Sequence, residues 1–180
     1  MSKQIKKRSG GRLVVDALRV HGVDRVFCVP GESYLEVLDA LYDVSNEVSL
    51  ISCRHEGGAG YMAEAYGKLT GQPGVCIVTR GPGACNASIA VHSATQDSTP
   101  MVMLVGQVPR PFKGREIQQE VDLEAMFAPL AKWAIEVKSV DEIPDVMARA
   151  FNVARSGRPG PVVVALPVDV SVEVSEAVDV

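Results

Sequence analysis

VCIVTRGPGACNASIAVHSATQDSTPMVMLVG, residues 75–106, decides the fold. Val75–Thr79 and Met101–Val105 are apolar runs of strand length, and Gly81-Pro82-Gly83 opens a helix between them that runs to about Asp97. A strand that is apolar at every position, instead of at alternate ones, has both faces covered. Two such strands joined by a single helix make a right-handed βαβ unit with parallel strands.

The same alternation continues outward in both directions. Towards the N-terminus, Arg12–Val20 reads as a helix with Leu13, Ala17 and Val20 on one face, and Val26–Val29 as a strand stopped by Pro30-Gly31. Tyr34–Tyr42 is the next helix, Val48–Cys53 the next strand, and Glu56–Leu69 a helix ended by Gly71 and Pro73. Beyond Gly106 a polar loop leads to about Asp122. It is followed by a short helix (Leu123–Phe127), a strand (Trp133–Val137), a helix (Asp141–Ser156) and a last strand (Val162–Leu166). The reading is one three-layer, doubly wound α/β domain of about six mostly parallel strands with helices on both faces. It spans residues 11–170, behind a disordered basic tail (1–10) and ahead of a Glu- and Val-rich connector (171–180) to further domains.

Composition narrows the function. The chain has 180 residues, 47% of them hydrophobic but only 5% aromatic, so its core rests on Val, Leu, Ile, Ala and Met. A net charge of −4 argues against nucleic acid or an anionic membrane as partner. No apolar stretch follows the basic start, so it is not a signal peptide, and Met101–Val105 is too short to span a bilayer. Cys28, Cys53, Cys76 and Cys85 show no metal-ligand spacing and read as small hydrophobes in a reducing cytoplasm.

In such a sheet, ligands bind beyond the carboxyl ends of the strands. Pro30–Ser33, Arg54–Gly58 and Arg80–Gly83 lie there, gathering Gly, Pro and ionisable groups along one edge. Glu56 opens a helix, where the positive end of the dipole favours a carboxylate. That is an ordinary place for an acidic residue, yet Gly57, Gly58 and Gly60 beside it let a backbone or a flat ligand approach closely. The run Gly81-Pro82-Gly83 is not a phosphate loop: it lacks the glycine spacing, and Pro82 removes a donor. His21 and His92, each alone on a helical pattern, read as satisfied or solvated histidines.

The order VPGES (Val29–Ser33), RHEGGAGYMAEAYGKLTGQPGVCIVTRGPGACN (Arg54–Asn86), QDSTPMVMLVGQV (Gln96–Val108), QEVD (Gln119–Asp122) and GRPGPVVVALPVDV (Gly157–Val170) resembles the acetolactate synthase-like family of thiamine-diphosphate enzymes, in its N-terminal, pyrimidine-binding domain. The resemblance implies decarboxylation or carboligation of 2-oxo acids. It makes Glu56 the glutamate that hydrogen-bonds N1′ of the aminopyrimidine and so promotes loss of the thiazolium C2 proton. It sets Val29, Pro30, Pro82 and Asn86 around that ring, and brings Gln119 to the reacting centre from the long loop. Four positions depart from the family: Gly57 replaces a glutamine, Arg80 a small hydroxyl residue, Cys85 a threonine and Gln118 a phenylalanine. Arg80 reads as a carboxylate or acyl-group anchor or as a surface salt-bridge residue, with the second favoured.

No Gly-Asp-Gly run occurs, so none of these residues is expected to bind metal. The resemblance assigns Mg2+ and the diphosphate to a C-terminal domain absent here, and FAD gains no support from this segment. The implied partners are the chain's own C-terminal domain or a second subunit, in a homodimer or tetramer. The chain alone is expected to bind the cofactor weakly, to turn nothing over and to self-associate. Two other readings stay open: the α subunit of a split thiamine-diphosphate decarboxylase, and a non-catalytic binding module on the same fold.

Overall fold

A computed structural model describes residues 7–180. Its centre is a six-stranded parallel sheet formed by β2 (Arg25–Cys28), β3 (Ser49–Ser52), β4 (Gly74–Thr79), β5 (Met101–Gln107), β6 (Trp133–Glu136) and β7 (Pro161–Pro167), in the order β3-β2-β4-β5-β7-β6. Residues 75–106 supply the middle of it, with Val75 opposite Val102 and Val78 opposite Val105. Around the sheet run α1 (Gly10–Val20), α2 (Leu35–Asp43), α3 (Glu56–Thr70), α4 (Arg80–Asp97), α5 (Leu123–Phe127) and α6 (Ile143–Arg155). A short α7 (Val168–Val172) follows the last sheet strand.

The pleat sorts each apolar strand between two cores. Val75 and Ile77 join α1, α2 and α6 on one face, through Leu13, Leu18, Leu41 and Phe151. Cys76 and Val78 join α3, α4 and α5 on the other, through Ala63, Ala87, Ala90 and Phe127. β4, β5 and β7 are covered on both sides as the sequence implies. The edge strand β3 is not: Ser49, Leu50 and Ser52 are exposed. Its apolar residues are too few to show a pattern, and a sheet edge lacks the second covering neighbour.

The termini also differ from expectation. The basic tail was expected to be disordered through residue 10, but Arg8–Ser9 form β1, paired antiparallel with β8 (Val174–Ser175), inside the expected connector. The Arg8 guanidinium is the reason. It pairs with Asp16 and Asp179 at 2.8 Å and reaches the Ala177 carbonyl at 2.6 Å, so it behaves as a staple and not as a solvated charge. Ser9 then caps α1, accepting from the Arg12 amide. Lys3 and Lys6 lie outside the described residues. No helix of the described residues is long and apolar enough to cross a membrane.

Candidate functional site

The carboxyl ends of β2, β4 and β5 meet at one edge of the sheet, and the turns that leave them are packed without slack. An added Cβ at Gly31 would fall 2.5 Å from the Thr79 Cβ, and one at Gly106 2.2 Å from the Ser33 Oγ. The Ser33 and Thr79 hydroxyls share a hydrogen bond of 2.6 Å, tying the turn after β2 to the end of β4. The Tyr34 hydroxyl donates to the Val29 carbonyl, which fixes the Val29-Pro30 segment from beneath. Burial, with the negative charge of Glu56 among the lesser causes, drives the Tyr34 phenol's pKa well above its usual value, so it stays a donor.

Glu56 stands at the start of α3. His55 is the N-cap, its Nδ1 accepting the Gly57 amide proton at 3.0 Å. The half-buried Glu56 carboxylate then takes a hydrogen bond from the Asn86 Nδ2 on Oε2 at 2.8 Å. That contact exists because α3 and α4 lie almost in backbone contact. An added Cβ at Gly60 would meet the Ala90 Cβ at 2.7 Å, and one at Gly57 the Asn86 carbonyl at 3.3 Å. Gly83 packs on the end of β4, where an added Cβ would meet the Val78 Cβ at 3.2 Å, and Oε1 lies 3.7 Å from that position. Pro82 is exposed beside them. The arrangement is a single carboxylate with one oxygen anchored, facing a glycine-lined surface at a helix N-terminus, suited to hydrogen-bond a flat heterocycle.

Gln119 reaches this edge through its backbone. Its carbonyl accepts the Gly81 amide proton at 2.9 Å, with φ at +68 for a residue that is not glycine. The loop that carries it is held at three points. The Gln107 amide, wholly buried, donates to the Val121 carbonyl at 2.9 Å; Lys113 binds both oxygens of buried Glu136; and Glu120 accepts the amides of Gly114 and Ile117. Ser33 and Gln107 lie in strand-end segments that the sequence marks, though with no role assigned, whereas Tyr34 reads there only as the start of a helix.

Arg80 forms an ion pair with Glu32 at 3.4 Å, as the favoured reading has it, but not as a surface residue. Its side chain is 13% exposed, its backbone has φ of +42, and its Nε is buried with no hydrogen-bond partner among the described residues. The strand-end turn folds it inward beneath the loop, a placement that local sequence does not encode.

Elsewhere, a hollow of about 1020 Å³ opens between α1, α2 and the C-terminal segment. Several of its charged walls pair with one another, Arg12 and Arg19 with Asp16 and Arg19 with Glu47. Among the described residues no group of three or more His, Cys, Asp or Glu side chains could hold a metal ion.

Residues 8–126 match the family model for the thiamine pyrophosphate enzyme, N-terminal TPP binding domain. The chain is 46% identical over 162 residues to the acetolactate synthase isozyme 2 large subunit of Escherichia coli (strain K12), covering 90% of this chain and 29% of that protein. It is 43% identical over 164 residues to the mitochondrial acetolactate synthase catalytic subunit of Aspergillus candidus, covering 91% and 24%. It is also 40% identical over 178 residues to the acetolactate synthase of Bacillus subtilis (strain 168), covering 99% and 31%. The chain thus spans between about a quarter and a third of the length of these curated relatives. Fold and family match agree, and the chain belongs to the thiamine pyrophosphate enzyme family, as an acetolactate synthase-like N-terminal TPP-binding domain.

Proposed function

We propose that this chain forms the aminopyrimidine side of a thiamine diphosphate site, in an enzyme that decarboxylates or joins 2-oxo acids. The observation that carries the reading is the Glu56 carboxylate, half-buried at the start of α3 with Oε2 held by Asn86 at 2.8 Å. Open space beside the carboxylate suits a flat ring: nothing lies within 4 Å of where a Gly58 Cβ would stand. Bound thiamine diphosphate supplies the stabilisation of negative charge at carbon that the reaction needs.

The chain's own residues do the rest. Glu56 holds a proton against ring nitrogen N1′, in a site where exclusion of water strengthens that contact. Asn86 engages one carboxylate oxygen so that the other is aimed. Val29-Pro30, fixed by Tyr34, and Pro82 border the ring, and Gln119 enters from the loop. Magnesium and the diphosphate belong, in this reading, to a second domain or subunit.

The test is Glu56→Gln in the enzyme assembled from this domain and its diphosphate-binding partner. Pyruvate consumption in the presence of thiamine diphosphate and magnesium should fall by roughly 10²–10⁴-fold, the scale of a lost acid–base contact. Activity within a few-fold of wild type would end the assignment.

A further inference from the structure

The guanidinium of Arg80 stands at the same edge with its charge poorly matched. The one carboxylate within 4 Å among the described residues is that of Glu32, at 3.4 Å and itself 72% exposed. The Gln118 carbonyl is 3.5 Å from Nη1, and Nε has no partner among the described residues. A guanidinium on a side chain only 13% exposed, with a distant and solvated counter-ion and a buried Nε left without an acceptor, is costly to hold. It also begins α4, where the helix dipole adds positive potential and does not offset it.

The backbone around it is strained in the same place. Arg80 and Gln119 both take left-handed φ values and are joined across the site by the Gly81 amide on the Gln119 carbonyl. Strain of this kind persists where the surroundings enforce it, and it clusters at ligand sites. A guanidinium matches a planar carboxylate through two parallel hydrogen bonds, which an ammonium cannot supply.

We propose that Arg80 is the anchor for the carboxylate of the 2-oxo acid, with Glu32 as a resident counter-ion that the substrate displaces. The assignment rests on the reading of this edge as the reaction site. It adds to that reading a specificity-determining group at a position where the family places a small hydroxyl residue.

The experiment is a titration of the 15N-labelled 180-residue chain with sodium pyruvate at constant ionic strength, followed by NMR. The signals watched are the Arg80 Nε–Hε resonance and the amides of Gly81 and Gln119. Pyruvate should move them saturably, while pyruvamide, which lacks the charge, and sulfate, which lacks the planar geometry, should not. Arg80→Met should abolish the amide response without lowering Tm, because the variant removes an unsatisfied donor. Arg80→Lys, which keeps the charge, should weaken binding on the order of tenfold. Glu32→Gln should tighten it by roughly two- to fivefold, the scale of an exposed ion pair. The readout is pyruvate binding and not turnover, so its failure is distinguishable from failure of the role given to Glu56, which is read from activity of the assembled enzyme. Absence of a saturable shift, an equal shift with pyruvamide or sulfate, or binding that survives Arg80→Met would overturn the proposal.

Discussion

His21 ends α1 with its ring stacked on Phe151, centroids 4.4 Å apart and planes inclined by 17°. Burial, helped by the positive charge of Arg155, lowers its pKa below the usual 6.5. The unfolded chain therefore takes up a proton near pH 6.5 that the folded chain resists. Stability is undiminished above that pH and falls as pH drops through 6.5 towards the folded-state value, below which the loss levels off. His21→Phe keeps the stack and removes the titration. Urea midpoints at pH 7.5 and 5.5 should then differ less in the variant than in wild type; an unchanged difference would refute the role. From sequence, a lone histidine on a helix could be read as satisfied or solvated, and nothing local says that Phe151, 130 positions on, receives its ring. The place of Glu56 in the first turn of α3 was legible because its glycines and the strand-to-helix change sit in one short stretch, while its role came only from the resemblance. The inward turn of Arg80 was not, because it depends on a loop about forty residues away in sequence.

At the scale of elements, α3 shows how glycine placement sets the site. Gly67 packs where an added Cβ would fall 2.2 Å from the Pro100 carbonyl, whereas Gly58, near the opposite end of the same helix, has open space. Gly67→Ala should cost about 1–3 kcal/mol by overpacking, more than the helix propensity it gains. Gly58→Ala should instead stabilise by about 0.5–1 kcal/mol. Thermal unfolding of the two variants checks both, and equal effects would mean that propensity and not packing governs this helix. The sheet's central strands were legible because four or more consecutive apolar residues need two coverings. The edge strand β3 misled for the same reason in reverse: SLIS is too short to reveal which side is bare. Two-residue strands such as β1 and β8 have no period to detect.

For the whole molecule, the chain's own alternation of strand and helix gave the layers, but the order β3-β2-β4-β5-β7-β6 arises only from packing in three dimensions. The face formed by α3 and α4 leaves Tyr61, Met62 and Ile89 exposed at 40%, 48% and 54%. Exposed apolar side chains on one helix pair mark a contact surface. The isolated chain should therefore self-associate, and Met62→Glu should weaken the dimer about tenfold or more in sedimentation equilibrium. A monomer at high concentration would contradict this. The pairing of Arg8 with Ser175 and Ser9 with Val174 also brings the two ends of the described fold side by side. Tension applied through those ends pulls across the two-residue ladder and not along it, so its bonds break in succession, like a zip. The last segment should therefore peel away at a lower force than the parallel sheet beneath it needs to open.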